Sequence, residues 1–187
     1  HVSLNQLEEA TREYERIITL DPENREARLF LATLYAQQRR YPKAIRTVQE
    51  LLRLDPQLVV GYYYLGRIYL ETGRLADAKK EFQRVLTMDP KFVPAMFDLG
   101  TVLEKEKQYS RAMGLYRRIL KRQPKNSRAW ASLGRLALLL NRPAEAHKAF
   151  QRAKALERNE APVIFNIGLI YLEQRHPDEA IREFRQV

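Results

Sequence analysis

The stretch LDPQLVVGYYYLG, residues 54–66, contains two short sequence motifs that recur along the chain. An apolar residue followed by Asp-Pro stands at 54–56, and the same motif returns 34 residues earlier and 34 residues later. The pair Leu65-Gly66 recurs at the same spacing. The 34-residue shift also aligns six alanines: Ala10, Ala44, Ala78, Ala112, Ala146 and Ala180. A fixed period of this length indicates an array of similar structural units.

Two further columns of residues follow the same period. The small column contains Ala32, Gly66, Gly100, Gly134 and Gly168. The aromatic column contains Tyr14, Phe82, Tyr116, Phe150 and Phe184, with Val48 as the exception. We expect each small residue to face the alanine of a partner helix, so that the two helix axes approach closely while larger side chains fill the space on either side.

Each unit is predicted to form two helices. Apolar residues at helical spacing predict a first helix over 59–71, which ends near Gly73, a residue suited to a left-handed cap. A second helix is predicted over 76–88 and ends at Asp89-Pro90, because proline cannot continue a helix and restricts the residue before it. One such hairpin cannot bury its apolar face alone, so neighbouring hairpins must stack.

This pattern resembles the tetratricopeptide repeat family, whose unit reads W-x2-L-G-x2-Y, then A-x3-F, then P. The matching residues are Trp130, Leu133, Gly134, Ala146 and Phe150 in one unit, and Leu65, Gly66, Tyr69, Ala78, Phe82 and Pro90 in another. Departures are Arg28 in the tryptophan column, Ala137 in the tyrosine column and Arg158 in the proline column. The resemblance implies an all-α, right-handed superhelical solenoid of antiparallel helix pairs.

The repeat boundaries follow from the same alignment. We predict a single array over 1–187 with a half-repeat at 1–24, repeats at 25–58, 59–92, 93–126 and 127–160, and an incomplete repeat at 161–187. We interpret the chain as part of a longer array or a longer protein, and we expect self-association through uncapped ends because repeat arrays need polar caps for solubility.

The resemblance also implies a concave groove formed by the first helices. The predicted partner-binding groove contains Leu29, Thr33, Tyr63, Arg67, Leu70, Phe97, Thr101, Arg135, Leu138, Phe165, Leu169 and Leu172. Among the three consecutive tyrosines, Tyr62 is predicted to face the core, Tyr63 to face the groove, and Tyr64 to occupy a mixed position. The alternative is that neighbouring repeats or a missing terminal element cover these residues. Recurring exposed apolar residues would mark a binding surface.

Charge is distributed unevenly along the chain. The formal net charge is +10, of which residues 1–90 contribute +1 and residues 91–187 contribute +9. The predicted basic patch contains Arg111, Arg118, Lys121, Lys148 and Arg152. Such a field would attract an acidic partner, although charge runs are usually solvated faces. Aromatic residues do not alternate with these charges, which argues against single-stranded nucleic acid as the ligand.

The composition gives no support for catalysis, a metal site or a cofactor. The sequence contains no cysteine and three histidines. His176 precedes Pro177, Asp178 and Glu179, which is typical of a helix start with acidic residues beside the positive end of the helix dipole. The longest uncharged helical run, 161–172, is shorter than the roughly 18 residues of a membrane span.

We therefore predict a non-catalytic scaffold that binds a protein or peptide in its groove. Two alternatives remain open at this point. The chain could be a basic platform for nucleic acid or another polyanion, or it could be the targeting arm of an enzyme domain outside this segment. Steep salt dependence would distinguish the polyanion platform from the peptide groove.

Overall fold

The computed structural model of the protein describes residues 4–156 and 160–185. These residues form α-helices and connecting turns, and no strand occurs among them. The chain consists of two compact units, His1–Asp98 and Leu99–Val187, and the boundary between them lies inside the sixth helix. The helices are α1 (Leu4–Leu20), α2 (Arg25–Gln37), α3 (Tyr41–Leu54), α4 (Val59–Glu71), α5 (Leu75–Met88), α6 (Val93–Lys105), α7 (Tyr109–Arg122), α8 (Ser127–Leu139), α9 (Pro143–Lys154), α10 (Glu160–Glu173) and α11 (Pro177–Phe184).

The helix starts reproduce the sequence period. The first helices α2, α4, α6 and α8 begin 34 residues apart, and the second helices α3, α5, α7, α9 and α11 do the same. The first helix predicted over 59–71 is α4, and the second helix predicted over 76–88 begins one residue earlier, at Leu75. In the unit His1–Asp98, α2 packs against α3 and α4 against α5; in the unit Leu99–Val187, α8 packs against α9 and α10 against α11.

Both residues of the Asp-Pro motif contribute to ending the helix. Proline lacks the N–H that would extend the helix. The aspartate side chain accepts a hydrogen bond from the backbone N–H two residues later, which is the local turn that this residue type favours. The three bonds run from Glu23 N to Asp21 Oδ1 (3.3 Å), from Gln57 N to Asp55 Oδ1 (3.1 Å) and from Lys91 N to Asp89 Oδ1 (2.8 Å).

The proline carbonyls at three corners, those of Pro22, Pro56 and Pro124, each accept a hydrogen bond from a side chain of the next first helix. Trp130 Nε1 donates to Pro124 O at 3.0 Å, and the Tyr62 hydroxyl donates to Pro56 O at 3.0 Å. Arg28, which departs from the tryptophan pattern, makes the same link with two nitrogens, Nε at 3.1 Å and Nη2 at 2.6 Å from Pro22 O. Three different side chains therefore tie the corner to the helix by one hydrogen-bonding scheme.

The glycine column faces the aromatic column, and the expectation that it faces the alanines was wrong. A Cβ atom placed on Gly66, Gly100 or Gly134 would lie between 2.5 and 2.8 Å from a ring atom of the second helix, with Phe82, Tyr116 and Phe150 as the respective rings. Gly168 meets Phe184 in the same way. The aromatic ring of the second helix occupies the space that a side chain on the glycine would need, so only a very small residue fits opposite it. The repeat with Ala32 in the small column has Val48 in place of the ring, and both are buried.

Candidate binding faces

In the unit His1–Asp98, five predicted groove residues lie on the first helices α2 and α4, on a surface that we call the first-helix face. These residues are Leu29, Thr33, Tyr63, Arg67 and Leu70; Arg67 is exposed and the other four are half-buried. A cavity of about 390 Å³ opens here, and Thr33 and Arg67 belong to its lining. Its polar lining also includes Tyr64, Gln37 and Glu71.

The three consecutive tyrosines occupy three environments. Tyr62 is 5% exposed, which confirms it as a core residue. Tyr64 is half-buried and lines the cavity, in keeping with its mixed column. Tyr63 is half-buried, with its ring centroid 6.0 Å from that of Phe82 and 5.1 Å from that of Phe92. Tyr63 therefore packs within its own unit as well as bordering the first-helix face.

The hydroxyl of Tyr63 is held in the same unit. Burial raises the pKa of Tyr63 to about 12, and the neighbouring Asp98 adds to the shift through its negative charge and a hydrogen bond. Both effects favour the protonated phenol, because the phenolate would be poorly hydrated and would lie beside a carboxylate. Tyr63 therefore faces Asp98 as a neutral phenol at neutral pH.

Two predicted groove residues are buried and do not supply exposed surface. Phe97 is 7% exposed and Leu138 is 4% exposed. Leu138 lies on α8, a helix that packs against both α9 and α10. Phe97 has no polar atom to keep in water, and removing a phenylalanine side chain from water contributes about 1.5–3 kcal/mol. The sequence column identified these residues as apolar and could not distinguish core from groove floor.

In the unit Leu99–Val187, a polar network crosses the first-helix positions. The Tyr116 hydroxyl donates to Glu104 Oε1 at 2.7 Å, and Arg135 Nη2 donates to Glu104 Oε2. Burial raises the pKa of Tyr116 above its usual range, and the charge of Glu104 acts in the same direction. The predicted groove residues Thr101 and Arg135 are both half-buried here. Arg135 thus already has a carboxylate partner within its unit.

Helix α10 carries the most exposed apolar residues among the predicted groove positions. Phe165 is 51% exposed, Leu169 is 40% exposed and Leu172 is 48% exposed. Their spacing of four and then three residues puts them on one face of the helix. We call this set the α10 stripe. The Phe165 ring also contacts Phe184, at a centroid distance of 5.7 Å.

The predicted basic patch lies on the second helices α7 and α9. All five of its side chains are exposed: Arg111, Arg118, Lys121, Lys148 and Arg152. Two of them, Lys121 and Lys148, line a cleft of about 420 Å³ between α7, α8 and α9. The sequence predicted the patch from charge alone, and the apolar floor of the cleft was missed because its residues come from three helices.

Over residues 4–156 and 160–185, no group of three or more His, Asp or Glu side chains is placed to hold a metal ion. His176 immediately precedes α11, whose first turn carries Asp178 and Glu179. His176 Nδ1 lies 3.9 Å from Glu179 Oε2. No helix within the described part of the chain is long and apolar enough to cross a membrane.

Solved structures with the same fold are numerous. PilW, a type IV pilus biogenesis factor, superposes with a TM-score of 0.80 at 22% identity over 97% of this chain and 84% of PilW. MamA gives a TM-score of 0.76 at 25% identity over 84% of this chain and 92% of MamA. YrrB, described as a TPR protein with an unusual peptide-binding site, gives 0.70 at 20% identity over 91% of this chain and 88% of YrrB.

Sequence comparisons identify the repeat itself. A stretch of 48 residues is 33% identical to the human protein O-mannosyl-transferase TMTC3, covering 26% of this chain and 5% of that protein. The chain therefore spans a small part of that relative's length. A profile described as tetratricopeptide repeat matches residues 1–68, 69–136 and 103–167, and a second matches 161–187. This chain belongs to the tetratricopeptide repeat family.

Proposed function

We propose that this protein is a non-catalytic interaction scaffold that binds a peptide or helix of a partner protein on its first-helix face. Tetratricopeptide repeat proteins generally mediate protein–protein interaction. YrrB, one of the structural neighbours, is described by its peptide-binding site. The observation that carries the proposal is the cavity of about 390 Å³ between α2 and α4.

The lining of this cavity suits a peptide. Thr33, Gln37 and Tyr64 supply hydroxyl and amide groups, and Arg67 supplies a cation. A peptide that is removed from water needs partners for its backbone N–H and C=O groups, and these side chains can donate and accept. The volume is in the range of about 300–1,000 Å³ that is typical of ligand pockets. The site therefore suits one or two side chains of an extended segment and the backbone between them.

A displayed peptide library selected against the immobilised protein would test this function. We expect an enriched peptide to lose about tenfold or more in affinity with Arg67→Glu, because a charge-assisted contact is replaced by repulsion. The matched control is Arg46→Glu, which makes the same charge change at an exposed position of the second helix α3. Equal losses in both variants, or no enriched peptide, would contradict the proposal.

The basic second helix α7 favours a polyanion as the second candidate ligand. Arg111, Arg117, Arg118, Lys121 and Arg122 lie on this helix, which has no acidic residue. A nucleic acid bound there would release counterions, so its affinity would fall steeply as salt concentration rises. Titration of an oligonucleotide at several salt concentrations would distinguish this ligand from a peptide on the first-helix face.

A further inference from the structure

The cleft between α7, α8 and α9 combines an apolar floor with a basic rim, and we call it the basic cleft. Its volume is about 420 Å³. Its lining includes Leu120 and Lys121 of α7, Trp130 and Leu133 of α8, and Glu145 and Lys148 of α9. All of them belong to the unit Leu99–Val187.

The basic cleft is distinct from the first-helix positions of the same unit. Trp130 lines the cleft, and Arg135, five residues later on α8, bonds to Glu104. Five residues rotate a helix by about 140° beyond a full turn. The two side chains therefore leave α8 in different directions. A ligand in the basic cleft would lie on the second-helix side and would not need the first-helix face.

The floor of the basic cleft is apolar and ordered by its own hydrogen bond. Leu120 and Leu133 are buried, at 8% and 5% exposure, and Trp130 is half-buried. The Trp130 indole N–H is already bonded to Pro124 O, so what the ring offers is apolar surface and not a donor. An apolar ligand group would be favoured here because it removes this surface from water.

The rim has an excess of positive charge. Its one acidic residue, Glu145, bonds to Arg117 at 2.6 Å and lies 3.6 Å from Arg142, so its charge is offset by two arginines. Lys121 and Lys148 are exposed, and neither forms an ion pair with an acidic side chain within the described ranges 4–156 and 160–185. Two ammonium groups are thus available beside an apolar floor.

We propose that the basic cleft binds an acidic segment of a partner protein that inserts one apolar side chain. The apolar side chain would cover Trp130, Leu120 and Leu133, and carboxylates on either side of it would bond to Lys121 and Lys148. A nucleic acid backbone would satisfy the lysines and leave the apolar floor exposed. An acidic peptide with one apolar side chain matches both features of the basic cleft, the two lysines and the apolar floor.

Trp130 provides a reporter for this site. It is the single tryptophan of the chain and it lines the basic cleft. Its fluorescence can be excited at wavelengths where tyrosine and phenylalanine do not absorb. A ligand that covers the indole should change the emission, whereas a ligand on the first-helix face of the unit His1–Asp98 should not.

The experiment titrates the whole chain with three probes while Trp130 emission is recorded. The probes are a synthetic oligo-aspartate peptide with one central phenylalanine, the same peptide with alanine in that place, and oligothymidylate. We expect the phenylalanine peptide to bind, and the alanine peptide to bind about tenfold or more weakly, because a buried phenyl group is lost.

Charge exchange then separates the basic cleft from the general field of the protein. Lys121→Glu with Lys148→Glu should weaken the phenylalanine peptide by about tenfold or more. The control pair, Arg111→Glu with Arg152→Glu, changes the same net charge on the same two helices outside the cleft, and we expect a loss below about threefold. All four side chains are exposed, and thermal melts check that the variants fold. If either pair unfolds, the corresponding glutamine variants replace both pairs.

Several results would overturn the proposal. If both double variants lose the same affinity for the phenylalanine peptide, the loss is due to net charge and not to the two lysines of the basic cleft. Equal affinity of the phenylalanine and alanine peptides would remove the apolar contact. Absence of binding would remove the site, and tighter binding of oligothymidylate with the same lysine dependence would make the occupant a nucleic acid. None of these results bears on the selected peptide and Arg67, so the proposed function is tested separately.

Discussion

At Gly134 a hydrogen atom occupies the position where any other residue would place a carbon against a ring. A Cβ there would lie 2.5 Å from Phe150 Cε1, whereas a Cβ on Gly114 would meet nothing within 4 Å. We expect Gly134→Ala to lower the free energy of unfolding by about 1–3 kcal/mol through overpacking. Gly114→Ala should raise it by about 0.5–1 kcal/mol, because glycine is a poor helix residue. Denaturant unfolding of both variants measures the difference, and effects of the same sign would contradict the packing assignment.

A second residue-scale feature is the ion pair between Lys154 and Glu183. Lys154 Nζ lies 2.9 Å from Glu183 Oε2, and their side chains are 9% and 6% exposed. Glu183→Gln should lower the free energy of unfolding by about 1.5–3 kcal/mol, because the buried ammonium group loses its hydrogen bond to a charged carboxylate. Asp178→Asn, an exposed exchange on the same helix, is the control. Chemical denaturation of both variants provides the measurement.

A double variant checks the cause of that loss. In Lys154→Met with Glu183→Leu both charges are absent, and apolar side chains of similar size fill the space. Replacement of a buried pair by apolar residues is often neutral. The double variant should therefore be more stable than Glu183→Gln alone. If the double variant is the less stable of the two, the cost of burying the Lys154 charge is not the cause of the loss.

The environment of a single residue could be predicted from the sequence where all residues aligned by the 34-residue period share the same environment. Tyr62 was predicted as core and is buried, and Arg28 was recognised as a departure although its bond to Pro22 O could not be foreseen. Lys154 and Glu183 were missed because charged residues on amphipathic helices are normally exposed. Their burial depends on the register between α9 and α11, which a sequence column does not contain.

At the scale of elements, the turn between the two helices of a repeat has its own 34-residue column. Gly73 has a φ of 76°, as its prediction as a left-handed cap requires. The same conformation occurs at Arg39, Lys107, Asn141 and Arg175, with φ between 56° and 61°. Only glycine and asparagine adopt it readily, so the sequence indicated Gly73 and did not indicate the two arginines or the lysine. The packing of the paired helices imposes the turn there at a local cost.

Among the helices, α10 has the clearest consequence for self-association in solution, because it carries the α10 stripe. Exposed apolar residues on one helix face favour association, and we expect the protein to self-associate as its concentration rises. Leu169→Glu with Leu172→Lys should reduce this association while leaving the thermal melt nearly unchanged, because both side chains are exposed. Leu20→Glu, at a residue that is 78% exposed and outside the stripe, is the control. Sedimentation velocity over a range of concentrations gives the result, and association that is unchanged by the stripe variant would contradict the assignment.

The binding faces were harder to predict than the elements that carry them. Helical periodicity gives the direction of a side chain, but not what lies in front of it. Of the apolar groove predictions, Phe97 and Leu138 are buried while Phe165 and Leu172 are exposed. The basic cleft needs residues from α7, α8 and α9 together, and only the charges of its rim were evident in the sequence.

At the scale of the whole molecule, ionisation of buried tyrosines makes the free energy of unfolding depend on pH in the alkaline range. Burial is the main cause that raises the pKa of Tyr35, Tyr63 and Tyr171 to about 12 in each case. Nearby carboxylates add to the shift: Glu15 for Tyr35, Asp98 for Tyr63 and Glu183 for Tyr171. Each folded-state pKa lies above the value of about 10 for an unfolded chain. The stability that these phenols contribute is therefore fully present below pH 10 and is lost as pH rises through about 12.

An absorbance titration of phenolate formation tests this linkage. The sequence contains ten tyrosines, and in concentrated denaturant all of them should titrate together near pH 10. In the folded protein we expect a second group to ionise near pH 12, together with loss of helical circular dichroism, because forming these phenolates favours the unfolded chain. Tyr35→Phe should reduce the amplitude of this second group, because it removes a phenol that retains its proton. If all ten tyrosines ionise near pH 10 while the helical signal is unchanged, the burial of these phenols does not couple to folding.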